Sequence, residues 1–186
     1  MLFHSTRGKD RNKTFEEVLM QGLAKDGGLF MPDHWPEVNL DNLKKLDNFI
    51  DIAKEIVPLF TGSSFTETEV VNILDHTWNN FDKKDFIDIF EIDESVSILE
   101  LFHGPTAAFK DFGLQLAAAF FNKTLQKQKK TAIVFGATSG DTGSAAEYAM
   151  RGKKGIKVFM LSPNERMSPF QTAQMYSLQD NNIFNI

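Results

Sequence analysis

The stretch TAIVFGATSGDTGSAAEYAMRGKKGIKVFML, residues 131–161, decides the fold. Residues 131–135 (TAIVF) are short, apolar and rich in β-branched side chains, the pattern of a buried strand. Residues 136–143 form a glycine-rich turn, and the alanine-rich residues 144–150 read as a helix closed by Gly152. Residues 156–161 (IKVFML) are apolar again and read as a second strand. Strand, helix and strand in that order make a parallel pair joined by a right-handed crossover.

The same alternation extends outward. Upstream, residues 96–102 (VSILELF) form an apolar run ended by His103-Gly104-Pro105, and residues 111–128 read as a helix with apolar side chains on several sides. Downstream, Ser168-Pro169 opens another helix, because serine caps and proline fits the first turn. Residues 182–186 begin one more strand. The order βαβαβαβ predicts an α/β domain built on a parallel sheet. Ligands of such sheets bind at the carboxyl ends of the strands, which singles out residues 102–111 and 136–143.

The part before residue 96 reads differently. Thr14 and Glu17 form a capping box, and Phe15, Val18, Leu19 and Leu23 follow at helical spacing up to Gly27-Gly28. Residues 39–60 carry one apolar stripe (Leu43, Leu46, Phe49, Ile50, Ala53, Ile56), with Pro58 marking its end. Thr66 and Glu69 repeat the capping box ahead of Val70, Leu74 and Trp78. Residues 82–94 are acidic with alternating Ile87 and Ile89, which suggests a strand turned by Asp93-Glu94 into the next. Charge changes sign at the same place: ten basic and nineteen acidic residues precede residue 96, ten basic and six acidic follow. A mainly helical domain over 1–95 and a sheet domain over 96–186 are therefore expected.

Composition narrows the function classes. Of the 186 residues, 42% are hydrophobic and 24% charged, which excludes a disordered or collagen-like chain. There is no cysteine, so disulfides, thiolate metal sites and a thiol nucleophile are out. His34 and His76 have no partner at metal-ligand spacing. No apolar run is long enough to span a bilayer, and a cytoplasmic protein is the default expectation. Basic residues are few and not interleaved with aromatics, which argues against nucleic acid. Lysines 127, 129, 130, 153, 154 and 157 read as solvated loop charges.

Chemistry concentrates in the two loops. In HGPTAAFKDF, residues 103–112, Lys110 stands at the start of a helix between Phe109 and Asp111. The positive end of the helix dipole opposes a cation there, so a chemical use as a carbonyl-attacking amine competes with the reading of an ordinary solvated lysine. The neighbouring aromatic can lie against a flat ring. In GATSGDTGS, residues 136–144, Gly136, Gly140 and Gly143 let several backbone N–H groups point one way, and Thr138, Ser139 and Thr142 add hydroxyls. That is an anion cradle or simply a capped strand-to-helix turn; neither a Walker loop nor a G-x-G-x-x-G fingerprint is present.

The two loops together resemble those of the threonine synthase family, within the tryptophan-synthase-β-like group of pyridoxal-phosphate enzymes. The segments that carry the resemblance are LELFHGPTAAFKDFG (residues 99–113), GATSGDTGSAA (136–146) and MSPFQ (167–171), with STRG (5–8) and QGLAKDGGLFMP (21–32) matching the family's opening. The resemblance implies that Lys110 holds pyridoxal 5′-phosphate as an internal aldimine, that Phe109 lies beside the cofactor ring and that Asp141 contacts its polar edge. It implies that Thr138, Ser139, Gly140, Thr142 and Gly143 receive the carboxylate of O-phosphohomoserine, or lie near the cofactor's ring; a lyase reaction with water converts that substrate to threonine and phosphate. Arg7, Ser5, Thr6 and Arg166 are candidate substrate-phosphate donors without assignment. A serine or threonine dehydratase, or a non-catalytic relative of the family, remains the alternative.

The resemblance also predicts a departure. Family members are more than twice this long, and their second glycine-rich phosphate loop and the partner of the pyridine nitrogen have no counterpart here. A truncated chain is thus expected, with weak or absent cofactor binding. An apolar surface is expected to face either a missing C-terminal portion or another copy.

Overall fold

The computed structural model describes residues 1–83 and 85–186. The chain separates into two compact units, Met1–His76 and Thr77–Ile186. Residue 95, where the charge changes sign, falls in a hairpin turn inside the second unit.

In the first unit, β1 (Phe3–Ser5) pairs antiparallel with β2 (Phe30–Pro32), Phe3 opposite Pro32. Between them runs α1 (Phe15–Gln21), started by the Thr14/Glu17 capping box. The helix stops at Gly22, φ 73°, earlier than the Gly27-Gly28 pair suggested, because Gly22 already takes a backbone angle that favours glycine. The stripe over 39–60 is two helices, α2 (Leu40–Leu43) and α3 (Phe49–Thr61). Asn48 starts the second by accepting from the Asp51 N–H at 2.9 Å. Pro58 lies within α3 rather than at its end. Then α4 (Glu67–Thr77) follows the second capping box, with Thr66 and Glu69 bonded reciprocally at 3.1 and 3.2 Å. Phe3, Ala53, Phe65, Val70 and Leu74 are buried. Phe15 stands edge-on to Phe65, ring centres 6.1 Å apart.

The second unit opens with an antiparallel hairpin, β3 (Asp88–Glu91) and β4 (Ser97–Glu100), Asp88 opposite Glu100. The run 96–102 was expected to open the parallel sheet, and here the structure corrects the sequence. The Asp93 carboxylate accepts from the Ser95 and Val96 N–H groups and closes a tight turn, so β4 pairs with its sequence neighbour instead. The alternation goes on through α5 (Lys110–Gln128), β5 (Ala132–Ala137), α6 (Asp141–Met150), β6 (Ile156–Leu161), α7 (Pro169–Tyr176) and β7 (Ile183–Asn185). The parallel sheet has three strands in the order β5-β6-β7, Val134 opposite Val158 and Val158 opposite Ile183.

One face of this sheet is covered. Ile156, Val158, Met160 and Ile183 are buried, as are Ala145, Ala146 and Ala149 of α6. Their small side chains let α6 lie close against α5, whose Ala118 is wholly buried. The other face carries Ile133 and Phe135, 69% and 67% exposed. Phe159 and Phe184 stack there with ring centres 4.6 Å apart. Among the described residues no helix is long and apolar enough to cross a membrane.

Candidate active site

Lys110 is the first residue of α5, and the loop before it is held from beneath. Asp111 is fully buried and accepts from both the N–H and the hydroxyl of Thr106, each at 2.8 Å. Burial pushes the Asp111 carboxyl up, and the Thr106 bonds oppose the shift. A Cβ at Gly104 would come within 2.5 Å of Asp111 Oδ2, so the turn closes this tightly only with glycine. The start of α5 is anchored by aromatics: Trp78 Nε1 donates to the Phe112 carbonyl at 3.2 Å, and Phe81 meets Phe112 edge-on at 4.9 Å. Upstream, His103 Nε2 and Glu100 Oε2 are 2.9 Å apart, and the His103 carbonyl accepts from the Asp82 N–H.

The second loop spans only Thr138 to Gly140, because β5 runs on to Ala137 and α6 begins at Asp141. Thr138 organises it. Its N–H donates to the Leu161 carbonyl at 2.9 Å, and its hydroxyl oxygen accepts from Gly140 and Gly143 at 3.1 and 3.0 Å. Gly140 has φ 150°, and a Cβ there would collide with the Gln171 side chain. One at Gly143 would collide with Thr138. Gly140 and Gly143 are buried, whereas Ser139, Asp141 and Thr142 are exposed. Among the described residues the N–H groups of Asp141 and Thr142 have no acceptor, as befits the first turn of a helix.

The fold brings the loops together. Lys110 Nζ lies 3.9 Å from Asp141 Oδ2 and 4.9 Å from the centre of the Phe109 ring. Phe109 itself is 62% exposed, an open aromatic face beside the amine. So Phe109, Lys110 and Asp141 converge, while Ser139 in the loop and Thr142 in the first turn of α6 carry hydroxyls without a hydrogen-bond partner among the described residues. Thr138, Gly140 and Gly143 build the turn. Ser5 and Arg7 are engaged elsewhere: Ser5 Oγ donates to Asp26 at 2.6 Å and Arg7 Nη1 to the Asp26 carbonyl at 3.0 Å. The Ser5 hydroxyl foremost, with the Gly28 and Lys9 N–H groups, holds the Asp26 carboxyl down at about 2.

Sequence reasoning missed the residues of α7 that touch both loops. Gln171 Nε2 donates to Asp141 Oδ1 at 2.7 Å, and Gln174 Nε2 donates to the Thr106 carbonyl at 3.0 Å. Their spacing of three on one helix was the available signal. A cavity of about 710 Å³ also lies at the far ends of the strands, lined by Lys153, Lys157 and Asn182 among others, remote in the fold from Lys110. Burial pushes the Lys153 ammonium down. Among the described residues no group of histidines and carboxylates is arranged to hold a metal ion.

The Lys110 amine beside Asp141, the open aromatic face and the helix-start N–H groups without an acceptor among the described residues suit an aldehyde on a flat ring together with an anion, which is the chemistry of pyridoxal phosphate. Comparison with known proteins agrees. Residues 2–78 match the family described as "Threonine synthase N terminus". A threonine synthase of Methylobacillus glycogenes is 43% identical over 197 residues, an alignment that covers 100% of this chain and 41% of that protein. The chain resembles the N-terminal portion of threonine synthases over its whole length. The crystal structure of pyridoxal-phosphate-bound threonine synthase from Brucella melitensis superposes with a TM-score of 0.94 at 34% identity, covering 100% of this chain and 40% of that one. The yeast threonine synthase superposes with a TM-score of 0.92 at 37% identity. A rat protein called threonine synthase-like 2 is 34% identical. The chain thus spans about two-fifths of the length of the curated relatives it matches.

Proposed function

We propose that this chain provides the lysine and glycine-loop half of a threonine synthase active site, acting on O-phosphohomoserine with pyridoxal 5′-phosphate. The observation that carries the reading is the 3.9 Å approach of Lys110 Nζ to Asp141, two residues thirty-one positions apart at the carboxyl side of the sheet. Each stands at the first residue of its helix.

The roles in this reading are those the resemblance implies, and the convergence of Phe109, Lys110 and Asp141 supports them. Lys110 would hold the cofactor through its aldehyde carbon and, as the amine nearest the reacting carbons, would take and return protons at substrate Cα, Cβ and Cγ. The cofactor supplies an electron sink for the charge those transfers create. The open Phe109 ring would lie against a face of the cofactor ring, and Asp141, beside Lys110, would contact its polar edge. The Ser139 and Thr142 hydroxyls and the free N–H groups of α6 receive the substrate carboxylate, with the helix dipole aiding the anion. Thr138, Gly140 and Gly143 shape the turn that aims those donors. In this reading the activity serves threonine formation in the cytoplasm.

The test is pyridoxal phosphate followed by borohydride and peptide mapping. In a full-length relative, where the cofactor site is whole, the pyridoxyl label is expected on the lysine aligned with Lys110 in preference to exposed lysines, and in this chain, whose binding is expected to be weak, any selective label falls on Lys110 and vanishes in Lys110→Ala. Label spread over surface lysines regardless of Lys110 overturns the reading. Release of phosphate from O-phosphohomoserine, set against keto-acid formation from serine or threonine in a full-length relative, separates threonine synthase from a dehydratase.

A further inference from the structure

A continuous polar chain runs from the cap of α7 to the amine. Ser168 Oγ donates to Gln171 Oε1 at 3.1 Å, Gln171 Nε2 donates to Asp141 Oδ1 at 2.7 Å, and Asp141 Oδ2 faces Lys110 Nζ at 3.9 Å. A primary amide has one acceptor end and one donor end. Because Ser168 occupies the acceptor end, the donor end is committed to the carboxylate. The Asp141 carboxylate is in turn fixed at one oxygen, which leaves the other aimed at the lysine.

The second glutamine acts from the same helix face. Gln174, three residues on, donates to the Thr106 carbonyl. Thr106 is the residue whose N–H and hydroxyl are held by Asp111. The loop that leads into Lys110 is therefore gripped by α5 on one side and α7 on the other. Gly140 permits this arrangement, since any Cβ at that position would occupy the space of the Gln171 amide.

We propose that Gln171 and Gln174 are positioning residues, one turn of α7 setting the lysine loop and the glycine-rich loop in register. Gln171 acts on Lys110 only through Asp141, and Gln174 acts on it only through the Thr106 turn. The inference rests on Lys110 being the working amine, but its physical content, an aimed carboxylate, can be read without the cofactor.

The experiment is competitive reductive methylation of the full chain with formaldehyde and a borane, Lys110 being scored by mass spectrometry against Lys44 and Lys45. Asp141→Asn is expected to raise the relative reactivity of Lys110 about two- to fivefold, the range of an exposed ion pair. Gln171→Ala is expected to raise it too, and the double variant no further than Asp141→Asn alone. Unchanged reactivity in Gln171→Ala, or effects that multiply in the double variant, overturns the proposal. If Gln171→Ala unfolds, Gln171→Asn, too short to reach Asp141, takes its place in the same cycle. For Gln174→Ala the readout is hydrogen exchange: the Ala107 amide, bonded to the Gly104 carbonyl, is expected to exchange about fivefold faster while Val158 in β6 is unchanged. Equal acceleration at both amides, or none at Ala107, overturns that half. Failure of the cofactor reading looks different: a normal methylation cycle with no pyridoxyl label on the lysine aligned with Lys110 in the full-length relative.

Discussion

The carboxylate of Asp111 accepts two hydrogen bonds from one residue, the N–H and the hydroxyl of Thr106, both at 2.8 Å and both out of contact with water. A buried carboxylate is costly unless its lone pairs are used, and here they are used to shape the turn beside Lys110. Asp111→Ala leaves a buried N–H and hydroxyl without an acceptor. A loss of about 2–3 kcal/mol is expected in urea unfolding, with Asp111→Asn intermediate because it keeps one acceptor.

Glu147 gives the opposite case. It is fully buried on α6, and burial raises its carboxyl from 4.5 to about 7, the neighbouring Asn185 side chain, whose amide donates to the Met175 carbonyl, offsetting this only in part. The folded state therefore binds the proton more tightly than the unfolded state. Stability contributed by the protonated form is full below pH 4.5 and is lost as pH rises to about 7, a fall of roughly 3 kcal/mol. Glu147→Gln is expected to flatten stability over that window and to be the more stable protein at pH 8. Parallel pH profiles for the two proteins would refute this.

Gly143 is the residue whose replacement tests the glycine-rich turn. A Cβ there meets the Thr138 side chain, which itself binds the Gly140 and Gly143 N–H groups. Gly143→Ala is expected to cost about 1–3 kcal/mol and to displace Thr138. Gly143→Ala with Thr138→Ser, which removes the clashing methyl and keeps the hydroxyl, should recover part of the loss in a thermal melt.

The open sheet face makes a prediction about association. Parallel strands are ordinarily covered on both faces, yet Ile133 and Phe135 of β5 stand more than half exposed beside the Phe159–Phe184 stack. The chain is expected to self-associate at micromolar concentration in sedimentation equilibrium. Phe135→Lys should shift it toward monomer, and an unchanged distribution would place the contact elsewhere.

The capping box at α1 is a local device with a local price. Thr14 accepts from the Glu17 N–H at 3.3 Å and Glu17 returns a bond to the Thr14 N–H at 2.8 Å. Thr14→Ala should destabilise the first unit by about 1 kcal/mol in urea, with the amide exchange of β6 unaffected.

By itself the sequence determined whatever depends on neighbours along the chain. Both capping boxes, the serine cap of α7, the strands β5 and β6 and the lysine at the head of α5 are all legible, because a cap or an apolar period spans only a few residues. Tertiary structure decided what depends on chain segments meeting. The run 96–102 has the composition of a buried parallel strand, but the Asp93 turn offered it a partner nearer in sequence. Thr138 looked like a ligand donor, yet its hydroxyl ties its own turn. The spacing of Gln171 and Gln174 puts them on one helix face but names no partner, since a carboxamide acquires a role only when packing of α7 brings it to a carboxylate and a carbonyl from segments thirty and sixty-eight residues away. Hydrogen bonds between distant segments depend on the whole chain's packing, and no local pattern encodes their geometry.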